Sequence, residues 1–518
     1  MNTPIRYYHT VKDLKAVQIL SRFKKYFFKP DFKKIETRDF SFQLPIPKSD
    51  FIEYSCIEDG EICFLNKRLP LTDFFKPGIF SSFLMLEQFT LHYMDFFLDP
   101  AFDRSTAKTF VEFYEKNTDL PCAFAPYVVS LRLVNWLKAS HAHKFDQFTL
   151  SHLEKLGRFV KKYKEYDVLG NHLLKNIKAL IFYQHYFQLS QEDVLSAQRL
   201  LEEQLNEQIL PDGWHFERTP TYHLVVLEDL LDLYNILPAS SSERMISILE
   251  DNITRMLGVT SIWQENYPLF NDSSYSSAPS LMDIHSYAEA LGFEVRAQKT
   301  ELRRFDNAGY YVYFKPGFTL WIDAGDLGPK YLPGHAHNDS LSFIMYVNDE
   351  ILFTDTGACS YQELSLRNIA RSVRSHNTVM IDDTEPSEFW RSFRYAKKVK
   401  FHSKDVADSR LRAAITYRNR KHERVWEIND ESVNIVDTVD GKEGLAFFHL
   451  AEGHKVRLSN SDKTASIEKQ GEEVAELKTE NRFEVGESLY CPNINDTRKR
   501  KVLSVKFSHR NKVEIYTR

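Results

Sequence analysis

Residues 281–323 read LMDIHSYAEALGFEVRAQKTELRRFDNAGYYVYFKPGFTLWID, and the hydrophobic pattern changes its period within this stretch. Leu281–Leu291 carries apolar residues at helical spacing. Tyr310–Phe314 and Thr319–Asp323 are instead rich in aromatic and β-branched residues, as strands are. The change predicts a domain boundary near residues 290–305, with helices before it and strands after it.

Upstream of this boundary the helical pattern recurs from about residue 83, and most connecting loops are short and polar. Helices in such number, paired antiparallel, predict an incomplete α/α toroid. No fixed-period repeat is visible, which disfavours a solenoid. The predicted helices are Phe83–Leu98, Ala107–Lys116, Pro126–Ala139, Leu150–Lys164, His172–Phe187, Glu192–Gln208, Tyr222–Leu237, Ser241–Leu257 and Leu281–Leu291.

Downstream, short strand-like runs are separated by Gly, Asn and Asp turns, which predicts an antiparallel β-sandwich. Asn348-Asp349 is expected to form a hairpin turn between two strands. The predicted strands are Tyr310–Phe314, Thr319–Asp323, Leu341–Val347, Ile351–Asp355, Thr378–Ile381, Val433–Val439 and Val502–Phe507.

The predicted fold class is multidomain α+β, with an N-terminal incomplete (α/α) toroid followed by a C-terminal antiparallel β-sandwich. The predicted division is an N-terminal extension of short helix and strands at 1–80, the toroid at 81–300 and the sandwich at 301–518. Within the extension, Val11–Phe28 has the pattern of a basic amphipathic helix. A helix with a solvated polar face is the favoured interpretation, and a membrane-surface helix is the alternative. The predicted apolar side carries Ala16, Ile19, Leu20, Phe23 and Phe27.

The composition is that of an ordinary globular protein and narrows the choice of partners. The chain has 518 residues, enough for two or three domains. Its net charge of −5 provides no global basic field for nucleic acid or a membrane, so a polyanionic substrate would need a local basic lining. No run of 18 apolar residues occurs, and no membrane-spanning helix is predicted.

Signals that are absent from the sequence narrow the compartment and the chemistry. No apolar segment of a secretory signal follows Met1, so the cytoplasm is expected, or the periplasm if the natural chain begins with a segment that this sequence lacks. The five cysteines, an odd number without a CxxC pair, predict reduced thiols instead of a disulfide framework. Without a GxGxxG, P-loop, HExxH or GxSxG motif, nucleotide-dependent and serine-hydrolase chemistry lose support.

Residues 334–339 read GHAHND and place two imidazoles, His335 and His337, two residues apart, so that both can share one site. Asp355 follows at a predicted strand end, and His376 lies just before another strand. Two histidines and an aspartate from neighbouring strands predict a zinc site with an open fourth position, although the same ligands also suit manganese. The alternative for each residue is a hydrogen-bonded surface histidine or a turn aspartate.

Residues 212–223 read DGWHFERTPTYH and predict a turn followed by a helix, with Thr219 as N-cap and Pro220 at the first helical position. Tyr222 would lie in the first turn, where the helix dipole and a nearby arginine would lower its pKa and suit it to general base or acid catalysis. Taken alone, packing under a loop is the favoured alternative. The candidate substrate-binding residues of this segment are Trp214, Arg218 and His223.

Asn171 and His172 open another predicted helix. Asn171 either caps this helix or aims its amide at a substrate carboxylate, and His172 is a candidate substrate contact. Arg132 and Trp136 lie at helical spacing, and Trp136 offers a face for a sugar ring, although core packing is the favoured alternative.

Four arginines flank His376 and are candidates for binding an anionic sugar, although such a run of charge is usually a solvated face. They are Arg371, Arg374, Arg391 and Arg394.

Taken together, these residues resemble the heparinase II/III family of polysaccharide lyases. The matching stretches are Asn171-His172, residues 212–223, residues 270–273 (FNDS) and the block from His335 to Ile381, with HAHND, DTG and SHNTV in order. The resemblance covers about residues 80–400. Residues 6–10 (RYYHT) are also similar to the start of members encoded with capsule or exopolysaccharide biosynthesis genes.

The resemblance implies an α/α toroid followed by an antiparallel β-sandwich, and cleavage of uronic-acid-containing chains by β-elimination. By motif position, Asn171 would neutralise the uronate carboxylate, Tyr222 would act as general base and acid, and His335 would assist proton abstraction. The residues expected to bind a divalent metal, zinc or manganese, are His337, Asp355 and His376.

Two other functions stay open at this point. One is a metal-dependent glycan hydrolase that uses water on the open metal position. The other is a non-catalytic glycan-binding protein of capsule or exopolysaccharide biosynthesis. In all three cases the expected partner is an acidic polysaccharide or oligosaccharide.

Overall fold

The helices predicted between residues 83 and 291 are present, although Phe83–Leu98 is α-helical only over Met85–Tyr93 and continues as a 3₁₀ turn at Asp95–Leu98. The structure, a computed structural model, describes residues 3–120, 122–237, 242–264, 266–297 and 300–518; Ser241, predicted to begin a helix, lies outside them. The helices are α1 Thr3–Val11, α2 Ala16–Phe27, α3 Met85–Tyr93, α4 Ala107–Lys116, α5 Pro126–Ala139, α6 Gln147–Lys162, α7 Gly170–Phe187, α8 Gln191–Gln208, α9 Pro220–Ile236, α10 Glu243–Thr260, α11 Leu281–Ala290 and α12 Leu364–Arg371.

All seven predicted strands are present, and the region holds more strands than the pattern indicated. Asn348 and Asp349 both have left-handed backbone and form the expected hairpin turn. The strands are β1 Ile57–Glu58, β2 Glu61–Phe64, β3 Lys67–Pro70, β4 Leu302–Phe305, β5 Tyr310–Lys315, β6 Phe318–Asp323, β7 Phe343–Val347, β8 Glu350–Phe353, β9 Val379–Ile381, β10 Phe389–Trp390, β11 Arg394–Tyr395, β12 Lys400–Ala407, β13 Arg410–Tyr417, β14 Arg420–Ile428, β15 Ser432–Val439, β16 Gly444–His449, β17 Lys455–Leu458, β18 Thr464–Lys469, β19 Glu472–Thr479, β20 Phe483–Asn493, β21 Asp496–Phe507 and β22 Arg510–Thr517.

The C-terminal part contains the two-stranded sheet β10-β11 and three larger antiparallel sheets. The first is the meander β4-β5-β6-β7-β8, the second has the order β20-β21-β16-β9, and the third is the eight-stranded sheet β12-β13-β14-β15-β22-β19-β18-β17. One hydrophobic core joins side chains from all three sheets. The α/α toroid followed by an antiparallel β-sandwich is therefore confirmed, while the exact domain limits stay a prediction.

The meander sheet lies between the two halves of the molecule and contributes side chains to the cores of both. It can do so because successive side chains of a strand point to opposite faces. In β5, Tyr310 and Val312 belong to the core of the helical part. Tyr311 and Tyr313 belong to the core of the sandwich. Burial on both faces explains why this strand reads as a continuous apolar run instead of an alternating one.

The predicted basic amphipathic helix Val11–Phe28 begins only at Ala16, as α2, and the interpretation as a helix with a solvated polar face is wrong. On α2 the polar side faces the protein: Gln18 is fully buried and donates to the carbonyl of Val168 over 3.1 Å. The predicted apolar side faces outward, with Leu20 and Phe23 exposed by 69% and 68%. Among the described residues, no helix is both long and apolar enough to span a bilayer.

The prediction of reduced thiols is wrong for two of the five cysteines. Cys359 and Cys491 form a disulfide although they are 132 residues apart. Cys491 lies near the end of β20, and the loop after β8 brings Cys359 to it, a proximity that sequence spacing cannot reveal. Cys56, Cys63 and Cys122 are free.

A buried ion pair connects the eight-stranded sheet to the loops before β7 and β9. Arg424 Nε and Nη2 donate to the two oxygens of Asp437 over 2.6 and 3.0 Å. Arg424 Nη1 donates to the carbonyl oxygens of Leu341 and Asn377. Burial favours a higher pKa for Asp437, but Arg424 outweighs it and the pKa falls to about 2.

We expect Asp437→Asn to lower the free energy of unfolding at pH 7 by about 3–5 kcal/mol, because it leaves the Arg424 charge buried without a counter-charge. The depressed pKa means that the carboxylate stabilises the fold above the unfolded pKa of about 4, and that this contribution is lost as the pH falls toward 2. The difference from wild type, measured by urea unfolding at several pH values, should therefore shrink in acid. Glu423→Gln on β14, next to Arg424 in the sequence and paired with the exposed Arg412, serves as control and should cost about 1 kcal/mol or less. Equal losses in the two variants would contradict the prediction.

Candidate functional site

A cavity of about 520 Å³ lies where the helical part meets the loops of the sandwich. Its volume is within the range of about 300–1,000 Å³ that is usual for ligand sites. Asn171, Tyr222 and His335, which lie far apart in the sequence, all line it. Other lining residues that bear on its chemistry are His172, Glu217, Tyr127, Tyr361, Arg22, Lys330, Arg391, Arg394 and Lys398.

Asp272, in the loop between α10 and α11, holds the cavity floor together. Its fully buried carboxylate accepts from His335 Nδ1 over 2.9 Å and from His337 Nε2 over 2.7 Å. Arg367 on α12 forms a two-pronged ion pair with the same carboxylate, with Nη2 to Oδ2 at 2.7 Å. Burial alone would raise the pKa of Asp272, but Arg367 and the two histidines hold the pKa well below its ordinary value.

Tyr222 and His335 lie against each other, with ring centroids 4.1 Å apart. Tyr222 is on the first turn of α9, after Thr219 at the cap position and Pro220, as predicted. Its hydroxyl is 3.1 Å from the hydroxyl of Tyr361. The predicted lowering of its pKa is wrong: burial, and then the neighbouring Tyr361, raise the pKa of Tyr222 well above its ordinary value. The side chain of Arg218, the supposed cause, instead donates to the carbonyls of Asn307 and Asp326.

Asn171 is the second residue of α7 and does not cap it, because Leu169 occupies the cap position. The helix starts at Gly170, whose φ of +57° is left-handed and whose added Cβ would clash with Leu332 and Glu217. The tight turn brings buried Asn171 to the cavity wall beside Glu217. Burial raises the pKa of Glu217, and His335 opposes this only in part.

His172 also lines the cavity, next to Asn171 on α7. Its Nδ1 is 3.2 Å from Glu165 Oε2, and its ring lies 4.2 Å from that of Tyr127. Of the eight predicted substrate-binding residues, it is the one that the structure places on the cavity.

The predicted metal ligands His337, Asp355 and His376 come together, with candidate ligand atoms within 4.8 Å of one another, and all three are buried. Burial lowers the pKa of His337 to about 4, so the ring is neutral as a metal ligand requires. His337 Nδ1 and His376 Nε2 are buried without a hydrogen-bond partner among the described residues, which fits a donor set for a cation. Asp272 orients His337 from the other ring nitrogen, as carboxylates behind metal-bound histidines do.

Four residues predicted to bind substrate lie in the hydrophobic core instead. Arg132 is fully buried and lies over the ring of Tyr114, and Trp136 stacks on Phe97 at 4.5 Å. Trp214 and His223 are buried against each other. The helical spacing of Arg132 and Trp136 describes a buried face as well as an exposed one, so sequence alone could not separate the two.

Three predicted substrate-binding arginines have other positions. Arg218 braces the helical part against the loops around the meander sheet, as described above. Arg371 is buried and donates to the carbonyls of Arg391 and Ser392, so it supports a cavity loop from behind. Arg374 is exposed and pairs with Asp383. Arg391 and Arg394, the other two members of the predicted basic group, line the cavity.

Sequence reasoning assigned no role to Asp272, Arg367 or Tyr361, which complete the site. Asp272 lies within the FNDS stretch that carries the family resemblance, so a signal for it existed. Arg367 lies on α12, a short helix that the periodicity did not indicate. No pattern distinguishes Tyr361 from the other tyrosines of the chain.

Comparisons with known proteins agree with this fold. The heparinase II/III N-terminus model matches residues 133–295, and the heparinase II/III-like C-terminal model matches residues 297–517. The crystal structure of a heparinase III superposes with a TM-score of 0.70 at 16% identity, over 100% of this chain and 89% of that one. The shared architecture is that of toroid-and-sandwich proteins, and the chain belongs to the heparinase II/III-like family.

The curated relatives align with only part of this chain. A heparin-sulfate lyase of Bacteroides thetaiotaomicron is 24% identical over 340 residues, which are 56% of this chain and 47% of that protein. A heparin-sulfate lyase of Bacteroides stercoris is 23% identical over 60% of this chain and 50% of that protein. The chain thus spans about half the length of the curated relatives it matches.

We expect Asp272→Asn to destabilise the protein by about 3–5 kcal/mol, because the buried Arg367 would lose its counter-charge. Thermal unfolding together with urea unfolding measures the loss. The matched control is Asp496→Asn, whose partner Arg498 is 44% exposed and whose loss should cost about 1 kcal/mol or less. An Asp272 variant as stable as this control would show that the carboxylate does not hold the floor together.

Proposed function

We propose that this chain cleaves an acidic polysaccharide of the glycosaminoglycan type by β-elimination. The observation that carries the proposal is the meeting of Asn171, Tyr222 and His335 on one cavity wall. These are the groups that the reaction needs: a partner for the uronate carboxylate, a base for the C5 proton and an acid for the leaving oxygen.

The acidic nature of the substrate is supported by the charges on the cavity wall. Arg22, Lys330, Arg391, Arg394 and Lys398 line it, whereas Glu217 is the sole carboxylate among the described lining residues. In a chain with net charge −5, this is the local basic lining that a polyanion requires. The names of the curated heparin-sulfate lyases favour a sulfated uronate polymer.

The pKa of Tyr222 decides how the proton steps are divided. Because burial raises this pKa, the phenol is protonated before the reaction starts and is suited to donate its proton to the leaving O4 oxygen. The task of base then falls to His335: with its Nδ1 proton directed at Asp272, its Nε2 is free to take the C5 proton. The amide of Asn171 neutralises the uronate carboxylate and stabilises the enolate-like charge that develops when the proton leaves.

We also propose that His337, Asp355 and His376 hold a divalent metal, zinc in preference to manganese because two imidazoles supply the ligands. Bound there, a cation would supply positive charge behind the cavity floor and fix the loops before β9 and after β8. The described cavity lining includes His335 but none of the three ligands, so the metal would organise the floor without meeting the substrate. This arrangement disfavours the hydrolase alternative, which needs a metal-bound water that faces the glycan.

We expect Tyr222→Phe and His335→Ala each to lower kcat by about 10²–10⁴-fold, the usual contribution of a general acid or base. The assay follows the ultraviolet band of the unsaturated uronate while the protein is incubated with heparan sulfate, heparin, chondroitin sulfate, hyaluronan and a capsule-type uronate polymer. Tyr313→Phe is the control, since that buried tyrosine only donates to the carbonyls of Ala407 and Arg410 in the sandwich.

Two outcomes would replace this proposal by one of its alternatives. New reducing ends without the ultraviolet band, with activity retained in Tyr222→Phe, would indicate a hydrolase. Tight binding of one polymer without any product, unchanged by His335→Ala, would indicate a glycan-binding protein.

For the metal, we expect elemental analysis to find about one equivalent of zinc per chain in wild type. His376→Ala and Asp355→Ala should lose the metal and lower the unfolding temperature. His335→Ala, the nearby histidine outside the ligand set, should keep it. Metal content that is absent from wild type after refolding with zinc, or unchanged in His376→Ala, would rule out the assignment.

A further inference from the structure

The first two helices cross from one half of the molecule to the other beside the cavity. We call residues 3–28 the strap. Its first part is bound by the sandwich: Arg6 Nε pairs with Glu388 Oε1 at 2.8 Å, and Trp390 Nε1 donates to Thr10 Oγ1 over 3.1 Å. Asp13, between α1 and α2, pairs with Lys398 at 3.0 Å.

The second part of the strap is bound by the helical half. Besides the bond from Gln18 to Val168, Arg22 Nε donates to the carbonyl of Asp167 over 3.1 Å. Lys25 Nζ pairs with the carboxylate of the same residue at 2.9 Å. The polar side of α2 is thus occupied by the loop that precedes α7 and Asn171.

The strap forms one wall of the cavity. Thr10, Leu14 and Arg22 line it, and so do parts of both anchors, Val168 on the helical side and residues 391–398 on the sandwich side. Because the strap joins the two rims of the cavity, a polysaccharide cannot run straight through on that side. A cavity of about 520 Å³ bounded in this way fits a few sugar units at a chain end.

Two cations meet at this closed end. Arg22 is half-buried, and burial together with the positive charge of Arg394 lowers its pKa. In the described parts of the chain, the guanidinium of Arg394 takes part in no hydrogen bond or ion pair. The guanidinium of Arg22 donates only from Nε, to the backbone carbonyl of Asp167. Two neighbouring guanidinium groups with free donors bind carboxylates and sulfates well, because such an anion relieves their mutual repulsion.

We propose that the strap closes one end of the substrate cavity, and that Arg22 and Arg394 bind the acidic group of the terminal sugar there, so that cleavage proceeds from a chain end and releases short oligosaccharides. This inference rests on the proposed lyase function for its mode of action. The anion subsite itself is independent of catalysis. Glu217, the carboxylate of the cavity, lies by Asn171 and leaves this end positive.

The binding test uses His335→Ala protein, whose turnover is expected to be about 10²–10⁴-fold slower, and heparin oligosaccharides of defined length as probes. Isothermal calorimetry should show affinity that stops rising beyond a short oligosaccharide. Adding Arg22→Gln should weaken tetrasaccharide binding about tenfold or more, the usual cost of a lost charge-assisted hydrogen bond, and Arg22→Lys should restore part of it. Lys24→Gln, on the same helix but exposed and outside the cavity lining, is the matched control and should bind as the parent does. With desulfated oligosaccharides, a retained Arg22 effect identifies a carboxylate, and a lost effect identifies a sulfate.

The mode of cleavage is tested by comparing product formation with polymer length. With wild type, the ultraviolet band should grow while size-exclusion chromatography shows almost unchanged polymer length early in the reaction. Arg6→Ala combined with Trp390→Ala, which frees α1 from the sandwich, should yield longer products. Rapid early shortening by wild type, or equal binding losses in Arg22→Gln and Lys24→Gln, would overturn the inference. Absence of product from wild type, with the Arg22 dependence of binding intact, would instead count against the lyase function and leave the anion subsite supported.

Discussion

The buried carboxylate of Asp272 is the interaction on which the site depends. It belongs to the helical half, yet its partners His335, His337 and Arg367 all belong to the sandwich half. A carboxylate with burial as complete as this is costly unless every oxygen is engaged, and here a guanidinium and two imidazoles engage both. The same group therefore orients a residue of the proposed chemistry, supports a proposed metal ligand and joins the two halves.

The meander sheet provides the rigid base for this arrangement. Its strand β5 is buried on both faces, so a shift of the sheet would disturb the helical core and the sandwich core together. Arg424 adds a second constraint, since it ties the eight-stranded sheet to the carbonyls of Leu341 and Asn377. Those two residues lie next to the segments that carry His337 and His376. The loops of the site are thus fixed by polar contacts to layers that cannot move independently.

The sequence predicted the secondary-structure elements better than it predicted which side chains are exposed. Hydrophobic period separated helices from strands and located the change near residue 300, because both halves have long, regular elements. The hydrophobic period does not determine which side chains of a segment face a core. Arg132 and Trp136 have the same spacing whether they contact a sugar or the protein. Tyr222 illustrates a further limit, since its position on α9 was predictable but the burial that raises its pKa depends on Tyr361, which is distant in the sequence. The grouping of the proposed metal ligands was predictable because histidine and aspartate, two residue types with strong chemical preferences, lay beside strand ends.

The strap shows that an amphipathic pattern alone does not reveal which side of a helix packs against the protein. An amphipathic pattern is normally read with its apolar side toward the protein, yet α2 places Gln18, Arg22 and Lys25 against the protein and leaves Leu20 and Phe23 outside. Polar docking of this kind contributes little to a hydrophobic core, so the helix is held by specific partners instead of by buried area. Those partners are the loop before Asn171 and, through α1, the loop that carries Arg391 and Arg394. The strap therefore defines the width and the proposed closed end of the cavity and adds little to the hydrophobic core.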